Sequence, residues 1–265
     1  MSVKVGVISL GDNLGKSCFI ATLAGVYSRS QAKSVAILST ESARDNIDLV
    51  DIKVKDEDSG NGYVFRSILN ASPSGDKGLF SYGLRQGDED VYIYDVMNVA
   101  MDERAKKEFL LECLEKLPAD LTFLEIKGNH DTDWNRELMS RCDCFIVLFD
   151  VSQKGLKAIT KFRDEENLSV IQRTAFVLAK YDPAIVGIKK IHKTTGLSNK
   201  ALFQWPYNVQ ICKLAYDGIL DQAAYSIIIG EANVLDLRER MAEFMRFMFD
   251  SPTRKIIREV DKWSR

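Results

Sequence analysis

The sequence predicts an α/β protein, with a mostly parallel β-sheet and helices on both faces. Three observations carry this. Apolar, β-branched runs of strand length alternate along the chain with segments of helical periodicity. Several runs, such as Cys144–Phe149, are almost continuously apolar, as strands covered on both faces must be. A glycine-containing turn follows the first run and opens the first helical segment, a place where backbone N–H groups gather.

The elements follow in order. Val3–Ser9 is the first strand and Cys18–Ser28 the first helix. Ser34–Leu38 and Val91–Tyr94 are the next strands. In Glu103–Leu117, Phe109, Leu110, Cys113, Leu114 and Leu117 recur at helical spacing. Leu121–Ile126 reads as a strand, followed by a polar loop and a short helix near Trp134–Arg141. Then come strand Cys144–Phe149, helix Gly155–Arg163, strand Ala175–Leu178, helix Ile185–Thr194, a short strand at Phe203–Trp205 and a long helical stretch at Ala232–Phe249. Asp56–Asn61 and Ser72–Gly78, rich in Gly, Ser and Asp, are expected loops. The chain shows no internal repeat, low-complexity tract or interdomain linker. Residues 1–250 are therefore expected to form one domain, with 251–265 as a separate terminal helix.

Composition narrows the function classes. A formal net charge of −2 argues against a globally basic nucleic-acid binder. No apolar run reaches the roughly 18 residues of a membrane span, and the N-terminus lacks the pattern of a signal peptide, so a cytoplasmic protein is expected. The five cysteines (Cys18, Cys113, Cys142, Cys144 and Cys212) form no CxxC pair, so reduced, buried thiols are expected. Only two histidines are present, His130 and His192, which disfavours a histidine-based metal site.

The chemistry concentrates at Gly11-Asp12-Asn13-Leu14-Gly15-Lys16-Ser17, between the first strand and the first helix. Backbone N–H groups of such a loop, with the helix dipole behind them, favour a bound polyphosphate. Gly15 allows close approach of the backbone. Lys16 would reach the outer phosphates, the hydroxyl of Ser17 would bind Mg²⁺, and Cys18 continues the cradle into the helix. The full phosphate-loop pattern wants glycine six residues before the lysine; that position is Leu10, with Gly11 one residue later. The expected architecture is thus a three-layer P-loop nucleotide-binding fold. The alternative is a structural loop without nucleotide.

These residues resemble the deviant P-loop family of ParA and MinD, the partition and division-site positioning ATPases. The family motif is Lys-Gly-Gly-x-Gly-Lys-Ser/Thr, and Gly15-Lys16-Ser17 matches its end. Gly11 stands where the family has the lysine that reaches across a dimer, and Lys127 or Lys154 is a candidate to fill that role. After the second strand, Ser39 stands at the family's first aspartate and Glu41 at its second, ahead of Asn46-Ile47-Asp48. The resemblance implies that Glu41 helps to hold Mg²⁺ and the attacking water, a task a carboxylate suits. It also implies an acidic residue at the end of Leu121–Ile126. Glu125 is the first candidate, with Asp131 and Asp95 as competitors, and Gly128 offers a backbone N–H to the γ-phosphate. At the base-binding end, Lys180 or Tyr181 replaces the family's asparagine, and Gln204-Trp205-Pro206-Tyr207-Asn208 resembles the proline-containing turn against the base.

The resemblance implies ATP and Mg²⁺ as cofactors, a homodimer formed around nucleotide, and a protein partner in a partition, division-site, pilus or secretion complex. It leaves open whether ATP is hydrolysed or only bound. The alternatives are a non-catalytic scaffold with a degenerate phosphate loop and a small-molecule kinase. In the tail, Ser251 and Pro252 suit a helix start, and residues 252–265 carry Ile256, Ile257, Val260 and Trp263 on one face among Arg254, Lys255, Arg258, Lys262 and Arg265. Such a helix can lie on an anionic membrane or dock on protein. Lys189, Lys190, Lys193 and Lys200 suggest either direct DNA contact or, more plainly, a solvated helix face.

Overall fold

The computed structural model describes residues 2–31, 33–40, 81–86, 89–94, 102–117, 119–128, 131–165, 173–198, 200–217 and 220–249. Its strands are β1 (Val3–Ser9), β2 (Val35–Ser39), β3 (Ser81–Gln86), β4 (Glu89–Tyr94), β5 (Leu121–Glu125), β6 (Cys144–Phe149), β7 (Thr174–Tyr181) and β8 (Leu202–Pro206). They form one sheet in the order β3-β4-β2-β5-β1-β6-β7-β8. Every neighbouring pair is parallel except the β3–β4 hairpin at one edge. From β1 the chain steps outward through β2 to the β3–β4 edge, returns to β5 between β2 and β1, and then runs outward on the other side through β6, β7 and β8. In such a sheet, a crevice opens at the carboxyl ends of the strands where the winding reverses.

The helices are α1 (Lys16–Gln31), α2 (Glu103–Lys116), α3 (Asp133–Ser140), α4 (Gln153–Glu165), α5 (Ile188–Thr195), α6 (Val209–Tyr216), α7 (Asp221–Ile229) and α8 (Leu235–Phe249), the last preceded by a 3₁₀ turn at Ala232–Val234. Local chemistry sets several ends. Asp102, Thr132 and Asn208 accept hydrogen bonds from the first-turn N–H groups of α2, α3 and α6. Gly196 and Gly230 end α5 and α7 in the left-handed conformation.

Two cores sandwich the sheet. On one face, Phe19, Ile20 and Leu23 of α1, Ile211 of α6, Ile227 of α7 and Met241 of α8 pack on Val5, Val7, Ile37 and Phe123. On the other, Leu110, Leu138, Phe162 and Ile191 from α2 to α5 pack on Ile8, Leu38, Leu124 and Val147. Fully burying side chains of this size stabilises by roughly 1.5–3 kcal/mol each. Helices α1 and α7 touch closely at Gly25, where an added Cβ would lie 2.8 Å from the Cβ of Ala224.

The α/β class and the mostly parallel sheet agree with the sequence expectation. Three local readings need correction. The edge strand β3, Ser-Tyr-Gly-Leu-Arg-Gln, was not foreseen, because it is polar and interrupted by glycine. Helices α6 and α7 were also missed. The apolar residues of α7 cover most of its surface, so it lacks a clear helical stripe. Finally, α5 starts at Ile188 rather than Ile185, which is 66% exposed in the preceding turn. Glu41, the loops 56–61 and 72–78, Asp95, His130 and the segment 251–265 lie outside the described residues.

Candidate functional site

β1 delivers the chain into residues 10–15, and α1 leaves from Lys16. The loop is anchored at both ends: Leu10 N–H donates to Leu148 O at 2.8 Å, and Phe19 N–H to Gly15 O at 2.8 Å. Leu14 is buried at 6% exposure and pins the middle of the loop into the core. Asn13 (φ 54°) and Gly15 (φ 76°) both take left-handed backbone, which curls the loop around the start of α1. A Cβ added at Gly15 would meet nothing within 4 Å.

Three of the expected site residues converge at the start of α1. Lys16 Nζ donates to Ile126 O at 2.5 Å, just past β5. Ser17 Oγ donates to Glu125 Oε1 at 2.6 Å. Glu125 is the last residue of β5, pairs in register with Val7 of β1 and Ser39 of β2, and is fully buried. The β5 end is braced further: Thr40 N–H donates to Glu125 O at 3.0 Å, and Lys127 N–H to Thr40 Oγ1 at 2.9 Å. Asn135 Nδ2 donates to Lys127 O at 3.2 Å, tying α3 to the same turn. Gly128 has φ 77°, with open space where a Cβ would stand.

The competing assignments fall elsewhere. Asp131 faces Arg136, Oδ1 to Nη2 at 4.0 Å, near the start of α3. Lys154 is exposed at the start of α4. Lys180 touches the loop: its Nζ donates to Asn13 O at 2.7 Å. Lys180 has φ 52° and sits at a bulge, where the pairing of β7 with β8 shifts between Ala179 and Tyr181. Bulges re-aim side chains, and this one turns Lys180 away from the strand's alternation. Tyr181 is buried with its hydroxyl on Val186 O at 3.1 Å, and Pro206 pairs with it across β8. Trp205 packs edge-on against Phe19 of α1, ring centroids 4.8 Å apart, and joins β8 to α1.

The cysteines are free thiols among the described residues. Burial pushes Cys18 up to about 11, with Cys212 as a second cause, and burial likewise raises Cys113 and Cys144 to about 12. Cys212 is exposed, against the expectation of buried thiols, because it lies on the outward side of the short α6. Lys189, Lys190, Lys193 and Lys200 are all exposed, on α5 and just beyond it. Among the described residues, no helix is long and apolar enough to cross a membrane.

A polyphosphate with Mg²⁺ fits this arrangement. The loop carries the ammonium group of Lys16 and the hydroxyl of Ser17, and the hydroxyl already sits at hydrogen-bond distance from a buried carboxylate. Hard oxygen donors in small number, completed by water and phosphate, are what Mg²⁺ takes.

No family model matches the sequence, and no curated protein sequence matches it. Solved structures do. A ParA family ATPase from Chlorobium tepidum superposes with a TM-score of 0.62 at 14% identity, over 92% of this chain and 98% of that one. MinD in the MinC:MinD complex of Aquifex aeolicus gives 0.64 at 8% identity, over 94% and 97%. MinD of Pyrococcus horikoshii with Mg-ADP gives 0.59 at 14% identity, over 100% and 98%. The fold is that of the ParA and MinD ATPases. In this fold the loop at residues 11–17 follows the first strand, and the ends of β5 and β7 border it.

Proposed function

We propose that this chain is a nucleotide-dependent positioning protein that binds a Mg²⁺–nucleoside triphosphate at residues 11–18, with ATP the nucleotide its ParA/MinD resemblance implies. The observation that carries this reading is the convergence of Lys16, Ser17 and buried Glu125 beneath an open, left-handed loop. Asp12, Asn13, Leu14 and Gly15 supply backbone N–H groups to the phosphates. Lys16 leaves Ile126 O for the outer phosphates. Ser17 and Glu125 hold Mg²⁺, and Glu41 serves the attacking water. Lys180 and Pro206 border the base. Nucleotide holds two copies of the chain face to face in the cytoplasm or at a membrane or pole, and the dimer recruits a protein partner of a partition, division-site or secretion complex. The tail at 252–265 is the candidate membrane contact.

The test is calorimetric titration of the intact protein with ATP and GTP in Mg²⁺, beside Lys16→Ala. Binding in the parent and none in the folded variant supports the reading. Equal heats in both would remove the loop from the account.

Two residues favour a second reading, a scaffold that binds nucleotide without turning it over. Gly11 supplies no ammonium group, and Ser39, 1% exposed, supplies no carboxylate. Phosphate release above background from the intact protein would dispose of it.

A further inference from the structure

Two successive peptide units join Lys16 to α3. We propose, resting on the phosphate-site reading above, that Asn135 is a positioning residue for Lys16. It ties the turn at residues 126–128 to α3, holds the Ile126 carbonyl against the lysine, and carries the release of that lysine to the α2–α3 face.

The first peptide unit is held at both of its polar atoms. Ile126 O accepts from Lys16 Nζ at 2.5 Å. The N–H of the same trans peptide, that of Lys127, points the opposite way and donates to Thr40 Oγ1 at 2.9 Å. The second unit is held from α3: Lys127 O accepts from Asn135 Nδ2 at 3.2 Å. Each peptide is a rigid plane, and the two planes are joined only through the φ and ψ of Lys127. A turn of the Ile126 carbonyl is therefore passed to the Lys127 carbonyl and to the amide that holds it. Ile126 and Thr40 are buried, and Asn135 is 4% exposed, so water does not stand in for a broken bond. Phosphate oxygens compete with Ile126 O for the same ammonium group, and that competition loads or unloads the whole chain of bonds.

The α3 end of the tie is firm. Asn135 lies in the first turn of α3, and its own N–H donates to the cap residue, Thr132 Oγ1, at 3.2 Å. Leu138 and Met139, in the next turn, are buried. Trp134 stands beside Asn135 in the chain and packs on the core of that face. Lys107 of α2 lies over its ring, Nζ 5.2 Å from the centroid. Indole emission responds to a charge over the ring, so a shift of the first turn of α3 against α2 is read at Trp134. A residue that merely braced α3 would change the melting temperature and leave the response of Trp134 to phosphate intact.

The experiment uses the intact chain carrying Trp205→Phe and Trp263→Phe, which leaves Trp134 alone of the three tryptophans. Trp134 emission and calorimetric heats are followed together as ATP, ADP and inorganic tripolyphosphate are added with Mg²⁺. The same titrations are run on Asn135→Ala and Asn135→Gln, and the emission of Lys16→Ala is recorded with nothing added. Far-UV circular dichroism checks that each variant is folded. In the parent, ATP and tripolyphosphate are expected to shift the emission. Lys16→Ala is expected to show that shift without any ligand, because the Ile126 carbonyl has lost its ammonium partner. Asn135→Ala is expected to bind no more weakly than the parent and to lose the Trp134 response, and Asn135→Gln, which keeps an amide donor, to recover part of it. A full response in Asn135→Ala overturns the proposal, as does a parent that binds with no change at Trp134. If Asn135→Ala does not fold, Lys16→Ala decides, and an emission there equal to the parent's overturns the tie. No heat with any of the three ligands overturns the phosphate-site reading instead, while the ligand-free comparison of Lys16→Ala with the parent still tests the tie.

Discussion

Lys180 Nζ lies 2.7 Å from the carbonyl oxygen of Asn13, and both residues hold left-handed backbone, at φ 52° and 54°. Two non-glycine residues in that region, joined by one charge-assisted hydrogen bond across 167 positions of sequence, form a clasp between the loop at residues 11–17 and the end of β7. The left-handed region costs a residue with a Cβ roughly 1–2 kcal/mol, so the surrounding structure must impose it.

The clasp separates stability from binding. Lys180→Ala keeps the strained backbone and loses the bond, so it should lower stability by about 1 kcal/mol, or about 2–4 °C in Tm. Lys180→Gly loses the bond but relieves the strain, and should melt close to the parent. Both should bind nucleotide more weakly. Thermal melts and calorimetry of the two variants check this; a glycine variant less stable than the alanine one would contradict the strain assignment.

Glu125→Gln keeps an acceptor for Ser17 Oγ but removes the charge beneath the loop. The expected outcome is a folded protein in which the Mg²⁺ dependence of nucleotide affinity falls by about tenfold, as for loss of a metal-side contact. Titrations with and without Mg²⁺ read this directly. An unchanged Mg²⁺ dependence would assign Glu125 to structure alone.

Gly11 has room for a side chain. An added Cβ would meet only Leu14, no closer than 3.5 Å, and the backbone there is not left-handed. Gly11→Lys should therefore fold with a Tm near the parent and place an ammonium group at the loop rim, where it promotes nucleotide-dependent dimers measurable by light scattering. Gly155→Ala is the contrast: its Cβ would lie 2.6 Å from the backbone carbonyl of Asp150 and closer still to that residue's carboxylate. Overpacking of this kind costs about 1–3 kcal/mol, and the melt should show it.

Thiol chemistry should follow exposure. Cys212 is the exposed cysteine and should label first with iodoacetamide at pH 8. Cys18 is held protonated up to about 11, and Cys113 and Cys144 up to about 12, so their nucleophilic thiolates are scarce at pH 8 and appear only as the pH approaches those values. Mass spectrometry of labelled peptides, native and unfolded, checks the order. Cys144 labelling as fast as Cys212 in the native protein would contradict the packing of β6.

The sequence by itself determined the fold class, most strand positions and the place of the glycine-containing loop between the first strand and the first helix. Those features are local: the apolar run of β6, the helical spacing in α2, and a glycine, lysine and serine in succession between a strand and a helix. It did not settle which acidic residue meets Ser17 or which lysine meets the loop. Glu125 lies 108 residues from Ser17 and reaches it only because β5 sits beside β1. Lys180 touches the loop because a bulge between β7 and β8 redirects one side chain. Spacing along the chain carries no information about sheet order or strand register, and contacts across more than a hundred residues depend on both.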